Sequence, residues 1–265
     1  MLLAEYRKAL LWGAFLFLLS VPVLARCLPP VSTSPQAAFI DTVYDGDTVR
    51  LHDGRKIRLI GINTPEMNYR TGHPDPGAVA AKAFVAAYQG QQVLLFIGKQ
   101  SKDRYGRTLA HLFLTSGESL EELMLKQGSG HFVAIPPNTD LSRCLQTAER
   151  AARKQKRGLW KGSVWPKETL SLKEGISGFA ILRGRISKVS RGKQTIYLEL
   201  DDRVALKVPA HVLQQLSEKH GSELVGRRVE VRGWLRDRRH HPAVKAGKFR
   251  PWIMSVPHVS LLEFI

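Results

Sequence analysis

The chain is poor in cysteine and in acid. Its 265 residues hold only two cysteines, and 23 Asp and Glu stand against 40 Lys and Arg. So few cysteines exclude a scaffold built from several disulfides, and no Cys/His spacing suggests a zinc site. The pair allows one intramolecular bridge, Cys27 to Cys144, which an oxidising compartment would permit. The preferred reading leaves both unpaired. Cys144 shares a helical face with Leu141, Leu145 and Ala148 and reads as a small buried hydrophobe, while Cys27 lies in a Pro- and Ser-rich leader. Hydrophobic residues at 43% and charged residues at 24% are ordinary globular usage, which excludes wholesale disorder, collagen and a multi-span membrane protein. The length fits one large domain or two small ones. What the shortage of acid leaves is a net charge of +17, an excess that favours a polyanionic partner, either nucleic acid or an anionic membrane surface.

An apolar run from Ala9 to Leu19 follows Arg7 and Lys8 and precedes Val23-Leu24-Ala25, small residues of the kind a signal peptidase reads. Residues 1–25 are therefore expected to be a secretory signal peptide, with an uncleaved N-terminal anchor as the alternative. Leu24-Ala25-Arg26-Cys27 resembles a lipobox, but the charged Arg26 departs from that pattern and export is preferred over lipidation. The expected location is exported, periplasmic or secreted; the alternative is anchored to the membrane and facing outward. A leader over 26–37 follows.

From Ala38 the pattern becomes β. Phe39 to Val43, Thr48 to His52 and Lys56 to Ile62 are short runs separated by Asp45-Gly46 and Asp53-Gly54, which are hairpin signals. A helix is expected over Ala78 to Tyr88, strands over Gln92 to Ile97 and Leu109 to Thr115, a helix from Ser119 to Gln127 stopped by Gly128, and a last helix from Thr139 to Arg157. Residues 161–175 read as a linker. Beyond it, strand-like runs at Ala180 to Val189, Thr195 to Leu200, Val204 to Val208, Val229 to Leu235 and Trp252 to Leu261 enclose a helix over Ala210 to His220. The expected fold class is α+β and mainly β: two OB-type five-stranded barrels, over 38–160 and 176–265, the first with about three helices.

The turns carry the chemistry. Asp45-Gly46-Asp47-Thr48 sets two carboxylates beside a Gly, and Arg58, Asn63, Thr64 and Glu66 follow in Arg-Leu-Ile-Gly-Ile-Asn-Thr-Pro-Glu. Asp47, Asn63, the Thr64 carbonyl and waters are oxygen donors of the kind that hold Ca²⁺, and Pro65 stiffens the loop that presents Glu66. Arg58 and Arg107, from separate strands, can clamp a phosphodiester bidentately. His73, His111 and His131 read as surface or packing residues rather than ligands.

Asp-Gly-Asp-Thr-Val, Arg-Leu…Thr-Pro-Glu and Tyr-Gly-Arg, in this order, resemble the signatures of the staphylococcal nuclease (thermonuclease) family over roughly Ala38 to Trp160. The resemblance implies a Ca²⁺-dependent phosphodiesterase on an OB-fold barrel. Position by position it implies Asp47 as a metal ligand, Thr64 as a ligand through its carbonyl, Glu66 as the residue that orients or deprotonates the attacking water, and Arg58 and Arg107 as phosphate-binding arginines. Asp45 and Tyr105 fall close to the metal and the phosphate. The family's second carboxylate ligand falls at Asn63, which keeps an oxygen for the cation but removes one negative charge. Phe132-Val133-Ala134-Ile135 stands where the family has substrate-facing tyrosines.

The second unit is the more basic, with 19 Lys and Arg against 10 acids over residues 166–265. Arg236, Arg238, Arg239, Lys245, Lys248 and Arg250 lie near Trp234, Phe249 and Trp252, a composition that suits single-stranded nucleic acid held by counterion release and stacking. The bland alternative is a barrel strand with Val229, Val231 and Trp234 inward and Arg228, Glu230 and Arg232 in water. The expected function is an exported Ca²⁺-dependent nuclease acting on DNA or RNA as a monomer, with single-stranded nucleic acid as partner, no protein partner, and N-terminal membrane anchoring as an option. The alternative is an inactive or weakened relative that binds a polyanion at the cell envelope.

Overall fold

The computed structural model of the chain describes residues 26–31, 34–162 and 165–265; the segment expected as signal or anchor, 1–25, lies outside them. Strands β1 (Gln36–Asp45), β2 (Thr48–Leu51) and β3 (Lys56–Leu59) form the expected meander. Both hairpins are tied by a side chain accepting from the backbone two residues on: Asp45 Oδ1 from the Asp47 N–H at 3.1 Å and Asp53 Oδ1 from the Arg55 N–H at 3.0 Å, the local bond that suits Asp to turns. Then come β4 (Ile62–Asn63), α1 (Ala78–Ala86), β5 (Gln92–Lys102), β6 (Thr108–Leu114), α2 (Leu120–Gln127), β7 (His131–Phe132) and α3 (Ser142–Lys154). The order β1-β2-β3-β6-β5 closes into a barrel, filled by Ile40, Leu51, Ile57, Leu95, Leu112 and Phe113. β5 runs past its expected end because Lys102 pairs with Thr108. This polar ribbon carries the turn of Asp103 to Arg107 outward.

Cys27 and Cys144 form a disulfide, which corrects the unpaired reading. The pattern on α3 placed Cys144 on the inward side but held no information on what would face it. Cys27 is fully buried and its N–H donates to Glu122 Oε2 on α2 at 2.9 Å. A sulfur committed to a disulfide cannot carry a lipid thioether, so the lipobox resemblance at Cys27 falls as well.

The rest of the chain adds β8 (Lys167–Glu168), β9 (Gly178–Arg191), β10 (Thr195–Leu200), β11 (Val204–Pro209), α4 (Ala210–His220), β12 (Arg228–Asp237), α5 (Pro242–Lys245), β13 (Trp252–Ser255) and β14 (Leu262–Phe264). Strands β9, β10, β11, β13 and β12 close into a second barrel through the β12–β9 pairing. Segment 161–175, expected as a linker, contains β8, which pairs in parallel with β9. The strand expected over Trp252 to Leu261 is broken after Ser255, where Pro257 cannot donate to a ladder; β14 then pairs with β12.

The barrels share a charged interface. Arg153 of α3 donates to both oxygens of Glu230 on β12 at 2.6 and 3.0 Å. Glu149 of α3 accepts from the Phe132 N–H at 2.8 Å and pairs with Arg232 of β12. Glu149, Glu230 and Arg232 are 0%, 4% and 3% exposed, a burial that charges tolerate only when paired. Glu230 and Arg232 therefore face the first barrel rather than water. Val229, Val231 and Leu235 fill the second barrel, and Trp234, on the same side of β12 as Glu230 and Arg232, stands outward at 43% exposure.

Candidate active site

The Asp45-Gly46-Asp47 turn lies against Thr64 because residue 46 has no side chain. A Cβ there would stand 2.7 Å from Thr64 Cγ2 and 2.8 Å from Ala81 Cβ. Asp47 is buried. Its Oδ2 accepts from the Thr64 N–H at 2.8 Å and lies 3.1 Å from Arg58 Nη2, and its Oδ1 accepts from Thr48 Oγ at 3.2 Å. Arg58 sits opposite Thr48 in the β2–β3 ladder. Its Nη1 donates to the carbonyls of Leu59 and Ile62 at 2.7 and 2.8 Å, and its Nη2 reaches Asn63 Oδ1 at 3.3 Å. The structure thus gathers Asp47, Arg58, Asn63 and Thr64 at one place.

Arg107 joins them from the β5–β6 ribbon. Asp103 Oδ2 accepts from its Nε at 2.7 Å, and its Nη1 donates to Thr48 Oγ at 3.2 Å. Tyr105 is 69% exposed, with the guanidinium groups of Arg104 and Arg107 at 4.8 and 5.5 Å from its ring. Glu66 follows Pro65 at the head of a loop held by Asp75, whose Oδ2 accepts from the Glu66 N–H at 3.2 Å and whose Oδ1 accepts from Asn68 Nδ2 at 2.8 Å. Sequence reasoning gave no role to Thr48, Asp75 or Asp103. Thr48 stands inside a quoted motif and Asp103 two residues before Tyr-Gly-Arg; Asp75, between two prolines, carries only a turn signal.

Crowded carboxylates set the electrostatics. Burial, then the charge of Asp47 and that of Glu66, push Asp45 up to about 7. Burial and Asp47 also raise Glu66, with Arg58 and Arg107 pulling the other way. Every candidate donor here is oxygen: the Asp47 carboxylate, the Asn63 amide and the Thr64 carbonyl. Among the described residues, no group of three or more His, Cys, Asp or Glu side chains is placed to hold a metal.

The cations expected to bind substrate on the second barrel form a separate set. Arg239 pairs with Asp237 and Glu174, and Arg250 with Glu199 and Asp202. Arg238 lies 5.1 Å over the Phe249 ring, while Arg236, Lys245 and Lys248 are exposed. The histidines serve packing or surface: His73 is exposed, His111 is buried against Glu121, and His131 stacks on Phe179 of β9 with ring centroids 5.2 Å apart. Burial and the nearby Arg232 and Arg153 lower His131 to about 3, leaving it neutral.

Comparison with known proteins matches residues 56–162 to the family described as staphylococcal nuclease homologue; that span holds Arg58, Asn63, Thr64, Glu66 and Arg107 and ends before the second barrel. A thermonuclease of Staphylococcus hyicus is 34% identical over 122 residues, covering 44% of this chain and 72% of that protein. A thermonuclease of Staphylococcus intermedius is 31% identical over 129 residues, 47% of this chain and 76% of that protein. Endonuclease YncB of Bacillus subtilis is 28% identical over 130 residues, 47% and 61% of the two chains. With the motifs assembled on a closed five-stranded barrel and relatives matched over most of their own length, the chain belongs to the staphylococcal nuclease homologue family.

Proposed function

We propose that this protein is an exported, Ca²⁺-dependent nuclease that hydrolyses phosphodiester bonds of DNA or RNA. The observation that carries the reading is the convergence of Arg58 and Arg107 on Asp47, directly and through Thr48, beside a Glu66 whose pKa is raised. The two guanidinium groups bind the non-bridging oxygens of the scissile phosphate and oppose the charge that builds on them as water attacks. Glu66 accepts the proton of that water. The new oxygen–phosphorus bond forms as the ester bond breaks, and the leaving sugar oxygen takes a proton from solvent. The raised pKa makes Glu66 a stronger base, and general-base help of this kind is worth about 10² to 10⁴ in rate.

The donor set fits a hard cation. Asp47, Asn63 and the Thr64 carbonyl would hold Ca²⁺, and a dication there would offset the burial and the repulsion from Asp47 that raise Asp45. When bound, the ion supplies positive charge to the phosphate oxygens. Export is supported by the Cys27–Cys144 bond, since such bonds persist in oxidising compartments, and by the signal-like residues 1–25. The test is cleavage of labelled single-stranded DNA and RNA with Ca²⁺ and with chelator. Cleavage is expected to require the ion and to fall by about 10² or more in Glu66→Gln; cleavage that survives chelation overturns the metal assignment.

A further inference from the structure

A cleft of about 800 Å³ separates the two barrels, a size that ligand sites commonly have. One wall is the candidate active site itself, with Asn63, Thr64 and Glu66; the other is aromatic, with Trp165, Phe179 and Trp234. We propose that this cleft is a stacking subsite for an unpaired nucleobase attached to the scissile phosphate, so that the second barrel completes the substrate site of the first. The inference rests on the nuclease reading and adds the part of the substrate that the second barrel recognises.

Charge distinguishes a base from a phosphate as the occupant. The cleft carries the carboxylates of Glu66 and Asp75 against the single cation Lys161, and neither Arg58 nor Arg107 lines it. Carboxylates repel phosphate but leave a neutral, flat heterocycle indifferent, while aromatic walls favour it. The phosphate stays with the arginines and its base turns into the cleft. Trp234 is the residue most available for stacking. Glu230 and Arg232, on the same side of β12, are buried against α3, yet the indole is 43% exposed. Its ring is inclined 73° to that of Phe179 at 5.6 Å, so the two do not cover each other face to face. Trp234 also lines a smaller cavity of about 230 Å³, which Arg236 lines as well. A duplex cannot place a stacked base pair in such a cleft, so single strands are preferred; stacking reads any base, so sequence preference is weak.

The experiment measures binding by the intact protein in chelator, which keeps it independent of cleavage. The probes are a fluorescein-labelled oligothymidylate and a strand of equal length lacking all bases. Trp234→Ala is expected to weaken binding of the oligothymidylate about tenfold, Trp234→Phe to restore most of it, and the abasic strand to bind wild type and Trp234→Ala alike. Equal affinity of wild type and Trp234→Ala for the oligothymidylate overturns the subsite, and so does an equal loss on both strands. A wild type that binds but never cleaves would overturn the nuclease reading and leave this result standing.

Discussion

Arg58 Nη2 lies 3.3 Å from the amide oxygen of Asn63, so the arginine proposed to bind phosphate also holds the neutral amide that stands where the family resemblance implies a carboxylate. The same nitrogen is 3.1 Å from Asp47. In Asn63→Asp the added carboxylate strengthens the field at the cation position. The Ca²⁺ concentration for half-maximal cleavage is expected to fall at least about tenfold, since even at the dielectric of water a unit charge at about 4 Å contributes about 1 kcal/mol per charge of the cation. A cleavage titration across Ca²⁺ checks this. Cleavage by the variant alone would show that Asn63 has switched the natural protein off.

Arg107 is held at its Nε by Asp103 and at its Nη1 by Thr48. Lysine offers a point charge and cannot make both contacts while engaging phosphate. Arg107→Lys is expected to lower kcat/KM by about 10², the loss typical of one oriented donor to a developing oxyanion. Steady-state kinetics on single-stranded DNA reads it out, and an unchanged kcat/KM would remove Arg107 from the site.

Glu149 and Arg232 meet across the interface with almost no exposure. Glu149→Gln removes the charge that balances Arg232 and frees part of its hydrogen bonding. A destabilisation of about 3 kcal/mol is expected in urea unfolding, as when one partner of a buried pair is removed. The double variant Glu149→Leu with Arg232→Met should recover much of the loss.

Glu230 gives the interface a pH dependence. Burial by itself would raise its pKa from 4.5, but Arg153, Arg232 and Arg183 more than offset that and hold it below the usual range. The folded value is lower than the unfolded one, so its contribution is fully present above about 4.5 and is lost as pH falls through the folded value. Thermal unfolding from pH 6 to 3 should show a shallower acid decline in Glu230→Gln than in wild type. Parallel curves would refute the assignment.

The disulfide spans 117 residues. Closing a loop of that length in the unfolded chain is worth about 4 to 5 kcal/mol in the entropic account. Cys27→Ser with Cys144→Ser should lower Tm accordingly, and reduction of the wild type should match the double variant.

Part of the site was legible because it is local. Asp45 and Asp53 close their own hairpins, and the short stretch from Arg58 to Glu66 carries its motif in consecutive residues. Asp75 was not legible, because its role depends on a loop folding back over nine residues to reach the Glu66 backbone. Strand periodicity located both barrels, and its period of two puts Trp234 on the side of Glu230 and Arg232; the bland alternative that set it inward with Val229 and Val231 broke that period.

The sequence by itself determined the two runs of strands, the turns between them, and the residue types able to hold a cation and a phosphate. These follow from side-chain periodicity and from hydrogen bonds within a few residues. Tertiary structure alone decided that Cys27 meets Cys144, that Glu149 and Glu230 face arginines rather than water, and that Trp234 stands across a cleft from Glu66. The first depends on how the leader packs against α2 and α3 and the others on which surfaces the two barrels bury against one another; a one-dimensional pattern records that a surface exists but not what covers it.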